Sequence, residues 1–149
     1  MSNYIENNPK LLVVEDNETI IEGLEYLLEK EGFKAIIVKT KKEAEYYIDT
    51  EQFDLFLLDV QLPDGTGFDI CKYIKQKFDV PIIFISARTE EINVVYGLDI
   101  GADDYITKPF RNDELISRIN CVLRRYKKHT QDKNIIKYRN IKVNKETAK

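Results

Sequence analysis

The stretch at residues 53–67, FDLFLLDVQLPDGTG, constrains the fold of this chain more than any other. Its apolar run at residues 55–58 has the composition of a strand that is buried on both faces of a sheet. The run ends at an acid, Asp59, and a Pro-Asp-Gly turn follows at residues 63–65. Open α/β sheets bind their ligands beyond the carboxyl ends of the strands. Asp59 is therefore the first candidate for a functional residue.

Short apolar strands and amphipathic helices alternate along the chain. Strands are predicted at residues 11–14, 35–38, 55–58, 82–85 and 105–106, and a helix follows each of them, the last at about 112–125. Predicted helix starts are Asn17, Thr40 with Glu43 as a capping box, and Thr89, and predicted helix ends are Gly32 and Gly101. This alternation predicts an α/β fold in which helices cover both faces of a parallel sheet.

The composition is that of a globular protein with one ordinary domain and some additional chain. The 149 residues are 43% hydrophobic and 33% charged, and the formal net charge of −3 gives no reason to expect non-specific nucleic-acid binding. No apolar stretch reaches the length of a membrane span, so no membrane partner is expected. Cys71 and Cys121 are far apart on predicted helices, which indicates two reduced thiols and a cytoplasmic location.

Changes in composition divide the chain into four parts. We expect a flexible tail at residues 1–9, a complete α/β domain at 10–126 and a polar linker at 127–134. Residues 135–149 alternate apolar and polar side chains, as strands do, but are too few to bury a core of their own. We therefore interpret them as the truncated start of a second domain.

Charged side chains follow three of the predicted strands. Glu15 and Asp16 follow the first strand, Asp59 ends the third, and Lys108 follows the fifth. The carboxyl ends of parallel strands lie at one edge of a sheet, so we expect these side chains to converge. Two carboxylates about 4 Å apart repel by about 4 kcal/mol at an effective dielectric near 20, and Mg²⁺ (or Mn²⁺) with oxygen ligands removes that cost. With a hydroxyl from Ser86, the set predicts phosphoryl transfer to Asp59.

Four short motifs occur in order along these strands. They are the acidic pair Glu15-Asp16, the segment LLDVQLPDGTG, Ser86-Ala87 and Lys108-Pro109. With them, the chain resembles the receiver domain of two-component response regulators over about residues 10–125. That family implies a flavodoxin-like, doubly wound sheet of five parallel strands in the order 2-1-3-4-5. GADDYITKPF followed by an arginine-ended helix further resembles the OmpR/PhoB subfamily, whose winged-helix DNA-binding domain would begin near residue 135.

The resemblance implies a role for each acidic residue. Asp59 would accept a phosphoryl group from a phosphohistidine on a sensor histidine kinase. Asp16, Asp59 and the backbone carbonyl of Gln61 would hold Mg²⁺, and Glu15 would act mainly through a bound water. Gln61 and Arg88 stand two residues after the acceptor and after Ser86, positions that tune the lifetime of the acyl phosphate in receivers.

The remaining site residues would bind and report the phosphoryl group. Ser86, Lys108 and the backbone N–H of Ala87 would contact its oxygens, and the Lys108-Pro109 bond would be cis. Tyr105 would be the aromatic switch, turning inward as the Ser86 hydroxyl moves toward the phosphate. The sequence also permits simpler interpretations, in which Ser86 is a turn or cap residue and Tyr105 an ordinary strand aromatic.

In the resembled subfamily, phosphorylation promotes a homodimer through the fourth helix, fifth strand and fifth helix. The charged candidates for this dimer face are Asp99, Asp103, Asp104, Arg118, Arg124 and Arg125. The fourth helix, at about 90–100, contains no Lys or Arg, so contact through Val94 and Tyr96 is expected to replace some ion pairs. The kinase would dock near the first helix, where Ile21 is either a contact or an edge-of-core residue.

Three other functions compete with that of a switch that controls DNA binding. A haloacid-dehalogenase-type phosphatase needs a second Asp two residues after its nucleophile, and Gln61 stands there instead. A binder of a phosphate-bearing cofactor is disfavoured by the acidic, glycine-free first turn at residues 15–18. A stand-alone phosphoacceptor without DNA output stays open, because DNA would be bound only through the missing output domain. In either case the chain is expected to be no enzyme beyond slow self-dephosphorylation.

Overall fold

Five parallel strands form the central sheet in the computed structural model, which describes residues 8–88 and 90–128. They are β1 (Lys10–Val14), β2 (Lys34–Val38), β3 (Leu55–Asp59), β4 (Ile82–Ser86) and β5 (Asp104–Thr107). Their spatial order is β2-β1-β3-β4-β5, and every neighbouring pair is parallel. The predicted flavodoxin-like fold and strand order are therefore confirmed.

Helices cover both faces of the sheet. Within the described residues they are α1 (Glu18–Lys30), α2 (Lys41–Thr50), α3 (Gly67–Lys77), α4 (Glu91–Asp99) and α5 at 112–128. Alternate strand residues point to opposite faces, so Leu57 packs with residues of α1 and α5, whereas Leu58 packs with residues of α2 and α3. All residues of β3 and β4 are buried, because these strands lie inside the sheet between two helical layers.

Two of the predicted helix starts are present as hydrogen-bonded caps. The Asn17 side chain accepts from the N–H of Ile20 at 3.1 Å, and the Thr40 hydroxyl oxygen accepts from the N–H of Glu43 at 3.1 Å. The capping box differs from the expected form, because the Glu43 carboxylate accepts from the Thr40 hydroxyl at 3.0 Å. Helix α1 stops as predicted at Gly32, whose φ of 88° favours glycine.

The start of α4 and the end of α5 differ from the sequence prediction. The N-cap of α4 is Glu90, which makes no side-chain capping bond; Thr89, the predicted cap, lies outside the described residues. Helix α5 continues to residue 128, into the predicted linker. Three predicted segments also lie outside the described residues: most of the tail (residues 1–7), the remainder of the linker and the second domain. In the described ranges, no helix has the length and apolar character of a membrane span.

A small hairpin follows β3 and was not predicted. Gln61–Leu62 pairs antiparallel with Gly65–Thr66 around the turn at residues 63–64. Two-residue strands are too short to produce an alternating pattern in the sequence, which is why periodicity did not reveal them. The hairpin leads directly into α3, whose N-cap Thr66 accepts from the N–H of Asp69 at 3.2 Å.

Candidate functional site

The carboxyl ends of the strands bring the predicted site residues to one edge of the sheet. Asp59 ends β3, which lies between β1 and β4, so its side chain has neighbours on both sides. Glu15 follows β1, Ser86 ends β4, and Lys108 follows β5. The parallel topology thus produces the convergence that the sequence predicted. The Lys108-Pro109 peptide bond is cis, as the resemblance implied.

Lys108 forms ion pairs with two of the acids. Its Nζ lies 2.7 Å from Oε1 of Glu15 and 3.0 Å from Oδ2 of Asp59. Burial disfavours the charged ammonium, but the close contacts and opposite charges of both carboxylates outweigh burial and raise the pKa of Lys108. Lys108 is therefore held as a cation between the two acids and offsets part of their repulsion.

Glu15 is the most deeply buried acid of the site. The residue is 0% exposed, and its Oε2 accepts from the N–H of Asn17 at 3.0 Å. Burial raises the pKa of Glu15, and the negative charge of Asp59 adds to this effect, whereas Lys108 and the Asn17 N–H lower it. Oε1 contacts Lys108 as an ion pair but lacks the alignment of a hydrogen bond. A lone pair of this buried oxygen is consequently available to another cation or a water.

The three acids fit a small divalent cation. One carboxylate oxygen from each of Glu15, Asp16 and Asp59 lies within 4.8 Å of the others. Asp16 is exposed while the other two are buried, so the cluster opens to solvent on one side. An all-oxygen set of this size that can retain waters suits Mg²⁺ or Mn²⁺. The observed cluster therefore agrees with the predicted metal site.

Ser86, Arg88 and Tyr105 form a hydrogen-bonded chain beside Asp59. The Arg88 N–H donates to the Ser86 hydroxyl oxygen at 3.0 Å, and the Tyr105 hydroxyl donates to the Arg88 carbonyl at 2.8 Å. Ser86 is 1% exposed and Tyr105 8% exposed. Burial raises the pKa of Tyr105. The bond from the Arg88 N–H is the contact expected if Ser86 were only a turn residue. Ser86 also ends the strand that pairs with β3, so it lies next to the strand that carries Asp59.

Two contacts of the loop after Asp59 were missed by sequence reasoning. The Asp64 carboxylate accepts from the first two backbone N–H groups of α2, those of Lys41 and Lys42. A Cβ atom placed on Gly67 would stand 2.1 Å from the Asp59 carbonyl oxygen. No local pattern distinguishes either residue from the turn residues around it, because both contacts depend on tertiary structure.

The predicted dimer-face charges are in part paired within the chain. Nη1 of Arg118 lies 2.9 Å from Oδ1 of Asp104, and Oδ2 of Asp103 accepts from the N–H of Ile82 at 2.9 Å. Helix α4 instead exposes apolar side chains. They are Ile92, 78% exposed, with Val95, Tyr96 and Leu98 at 39–48%. On α1, Ile21 is buried at 6% exposure, which favours its interpretation as a core residue over a kinase contact.

Comparisons with known proteins agree with this geometry. A family described as the response regulator receiver domain matches residues 11–120. The chain is 46% identical over 115 residues to sensory transduction protein RegX3 of Mycobacterium tuberculosis H37Rv, covering 77% of this chain and 51% of that protein. It is 41% identical over 142 residues to regulatory protein VanR of Enterococcus faecium, covering 93% of this chain and 62% of that protein. The chain thus spans about half the length of RegX3.

Solved structures are similar over the described domain. The receiver domain of the Francisella response regulator 1452 superposes with a TM-score of 0.75 at 36% identity, covering 79% of this chain and 98% of that chain. A CheY-like response regulator receiver domain protein from Methanospirillum hungatei superposes with a TM-score of 0.78 at 30% identity, covering 82% of this chain and 98% of that chain.

Proposed function

The chain belongs to the receiver domains of two-component response regulators, and from this premise we propose that Asp59 is the residue that accepts the phosphoryl group. The observation that carries the proposal is the central position of Asp59 among the converging residues. Its carboxylate has an oxygen within 4.8 Å of carboxylate oxygens of Glu15 and Asp16, and it contacts Lys108 at 3.0 Å.

The proposed reaction is a transfer from a phosphohistidine on a sensor histidine kinase. A carboxylate oxygen of Asp59 attacks phosphorus, the phosphorus–nitrogen bond breaks, and the imidazole leaves with the bonding electron pair. The product is an acyl phosphate on Asp59 and a histidine that regains a proton from solvent. Lys108 is close enough to Asp59 to neutralise an incoming phosphoryl oxygen, and its raised pKa keeps it charged for that role.

Glu15, Asp16, Asp59 and the backbone carbonyl of Gln61 would hold Mg²⁺ or Mn²⁺. When bound, this ion neutralises charge on the transferring phosphoryl oxygens. The exposure of Asp16 supports a cation that enters from solvent. Ser86 and the backbone N–H of Ala87 are proposed to bind the same oxygens from the side of β4.

Ser86 and Tyr105 are proposed to convert the modification into a conformational signal. The Ser86 hydroxyl accepts from the Arg88 N–H, and the Arg88 carbonyl accepts from the Tyr105 hydroxyl. If Ser86 turns toward a phosphoryl oxygen, its bond to Arg88 is lost and the partner of Tyr105 can shift. This is a change of population between two states of one fold.

Gln61 and Arg88 are proposed to set the phosphate lifetime. The Gln61 N–H donates to Oδ1 of Asp59 at 3.3 Å, and the Arg88 N–H donates to the Ser86 hydroxyl oxygen at 3.0 Å, so both residues contact the proposed phosphoryl site. Exchanging either residue for Ala is expected to alter the half-life of the acyl phosphate without preventing its formation. An unchanged half-life in either variant would contradict this assignment.

We propose that the full protein regulates transcription through a winged-helix DNA-binding domain that begins near residue 135. The similarity to RegX3 and VanR, a sensory transduction protein and a regulatory protein, supports an output of this kind. Both cysteines are free thiols, which supports a location in the reducing cytoplasm.

The proposed dimer would form through α4, β5 and α5 on phosphorylation. The apolar side chains exposed on α4 support it, whereas the bond between Arg118 and Asp104 would have to open or be shared for an intermolecular ion pair. Sedimentation with and without beryllofluoride tests this: the activated chain should dimerise, and Ile92→Ser should weaken the dimer more than Tyr26→Ser, which replaces a similarly exposed large side chain on α1. A monomer in both states would contradict it.

Incubation with acetyl phosphate and Mg²⁺, read by intact mass, tests the central proposal. Wild type should gain one phosphoryl group and Asp59→Asn none, while the control Asp69→Asn, an acid on α3, should be labelled like wild type. Labelling of Asp59→Asn, or continuous turnover of acetyl phosphate without retained label, would overturn it.

A further inference from the structure

The loop between Asp59 and α3 is fastened to a neighbouring helix at its tip. We call residues 60–66 the acceptor loop. At its tip, Oδ1 of Asp64 accepts from the N–H of Lys41 at 2.7 Å, and Oδ2 accepts from the N–H of Lys42 at 3.0 Å. These two N–H groups belong to the first turn of α2, where helical amides have no intrahelical partner. One carboxylate thus closes the start of α2 from a different segment of the chain.

The physical chemistry of this contact favours a charged Asp64. The positive end of the helix dipole attracts an anion, and two charge-assisted hydrogen bonds hold both oxygens. The hydrogen bond from the Lys41 N–H, followed by that from Lys42, lowers the pKa of Asp64, although burial acts in the opposite direction. The contact therefore persists at neutral pH.

The acceptor loop transmits the position of its tip to its base. Gln61 pairs with Thr66 and Leu62 pairs with Gly65 across the hairpin, and the Gly67 N–H donates to the Val60 carbonyl at 2.8 Å. Because these contacts close the hairpin, a displacement of Asp64 at its tip would move the whole hairpin, including Gln61. Gln61 lies on that hairpin, and its N–H contacts Oδ1 of Asp59.

A second contact ties the tip to the same helix. A Cβ atom placed on Gly65 would stand 2.9 Å from the side-chain Cδ of Lys41. The glycine thus lets the Lys41 side chain lie directly over the loop, next to the hydrogen bonds of Asp64. The acceptor loop and the start of α2 therefore form one packed contact.

We propose that Asp64 is a positioning residue for the metal site: by fastening the tip of the acceptor loop to α2, it holds the Gln61 backbone beside Asp59. The inference rests on the proposed function, because it takes the Gln61 carbonyl as a Mg²⁺ ligand. Asp64 acts through the loop and does not touch the phosphoryl group or the ion.

The chain offers a control that separates this role from simple stabilisation of α2. Thr40 caps the same helix through the N–H of Glu43, at 3.1 Å. Thr40→Ala removes a cap from α2 and leaves the bonds of Asp64 to Lys41 and Lys42 in place. Any effect that arises only from a weakened start of α2 should appear in this variant as well.

The experiment is a calorimetric titration of the unphosphorylated chain with Mg²⁺ alone. Asp64→Ala should weaken Mg²⁺ binding by about 10-fold, the lower end of the effect of removing a group that orients a metal ligand. Thr40→Ala should weaken it by less than about 2-fold. Asp64→Asn keeps one acceptor oxygen and should fall between wild type and Asp64→Ala. Faster hydrogen exchange of the Lys41 and Lys42 amides in Asp64→Ala, at unchanged circular dichroism, would show that the loop was released without unfolding.

The proposal fails if Asp64→Ala and Asp64→Asn bind Mg²⁺ like wild type, or if Thr40→Ala loses as much affinity as Asp64→Ala. Labelling with acetyl phosphate distinguishes this failure from failure of the proposed function. Wild type that is labelled at Asp59, with Asp64 variants of unchanged Mg²⁺ affinity, rejects only the role of Asp64. If the role is correct, saturating Mg²⁺ should restore labelling of Asp64→Ala toward the wild-type rate, since the defect lies in metal binding.

Discussion

Gly67 lies against the backbone of Asp59 so closely that no side chain fits between them. A Cβ atom on Gly67 would stand 2.1 Å from the Asp59 carbonyl oxygen and 3.0 Å from its carbonyl carbon. Backbone cannot yield as the end of a flexible side chain can. The first residue of α3 thus fixes where the strand that carries Asp59 ends.

Gly67→Ala should therefore displace Asp59 and lower the free energy of unfolding by about 3 kcal/mol, the upper range for overpacking. Chemical denaturation and acetyl phosphate labelling measure the two effects. The matched control is Gly23→Ala, since a Cβ on this exposed helical glycine meets nothing within 4 Å. It should stabilise the chain by about 0.5–1 kcal/mol. Equal stability of the two variants would contradict the steric argument.

Removal of Lys108 should make the chain depend more strongly on Mg²⁺. Lys108→Met leaves Glu15 buried without its cation, which should cost about 3 kcal/mol in the presence of a chelator. Mg²⁺ should recover part of this loss, so its effect on the thermal midpoint should exceed that in wild type. Lys39→Met is the control, because Lys39 pairs with Glu18 at the exposed surface. An equal Mg²⁺ response in wild type and Lys108→Met would show that the lysine and the ion do not share a role.

The hydroxyl of Tyr105 should contribute to stability before any phosphorylation. Tyr105→Phe deletes the hydrogen bond to the Arg88 carbonyl and should lower the free energy of unfolding by about 1 kcal/mol. Tyr26→Phe, at a residue that is 70% exposed, should change it little. Urea denaturation of both variants gives the comparison, and indistinguishable values would assign no net stabilisation to this bond.

Cys71 should react far more slowly with iodoacetamide than Cys121. Burial raises the pKa of Cys71 to about 11, so about one thiol in a thousand is ionised at pH 8, and the residue is 0% exposed. Cys121 is only partly buried. Peptide mapping of the alkylated chain reports each site separately. Comparable labelling of both cysteines under native conditions would contradict the burial of Cys71.

The raised pKa of Cys71 also predicts that the folded chain loses stability at alkaline pH. The unfolded thiol ionises near 9.0 while the folded thiol holds its proton to about 11, so the unfolded state loses its proton first as pH rises. The contribution of Cys71 is complete below pH 9 and declines toward pH 11. Wild type should therefore lose more stability across that interval than Cys71→Ala, as measured by urea denaturation at each pH.

Much of the fold could be read from local patterns. Apolar runs such as residues 55–58 and 82–85 are characteristic of buried parallel strands, and each helix between them carries one apolar side. Asn17, Thr40 and Gly32 mark helix boundaries through chemistry that acts within four residues. The start of α4 differs because its N-cap, Glu90, makes no side-chain capping bond, so residue type did not mark it and the prediction fell on the neighbouring Thr89.

The amino-acid sequence by itself determined the identity of the site, because alternating strands and helices must bring Glu15, Asp59 and Lys108 to one edge of a parallel sheet. Only the tertiary structure decided how these groups are held. Lys108 pairs with two acids, Gly67 lies against the Asp59 carbonyl, and Asp64 binds the start of α2. Each of these contacts joins separate segments of the chain, and no local pattern specifies it. The physical reason is that periodicity records which face a residue occupies, whereas distances of about 3 Å across elements depend on the packing of the whole domain.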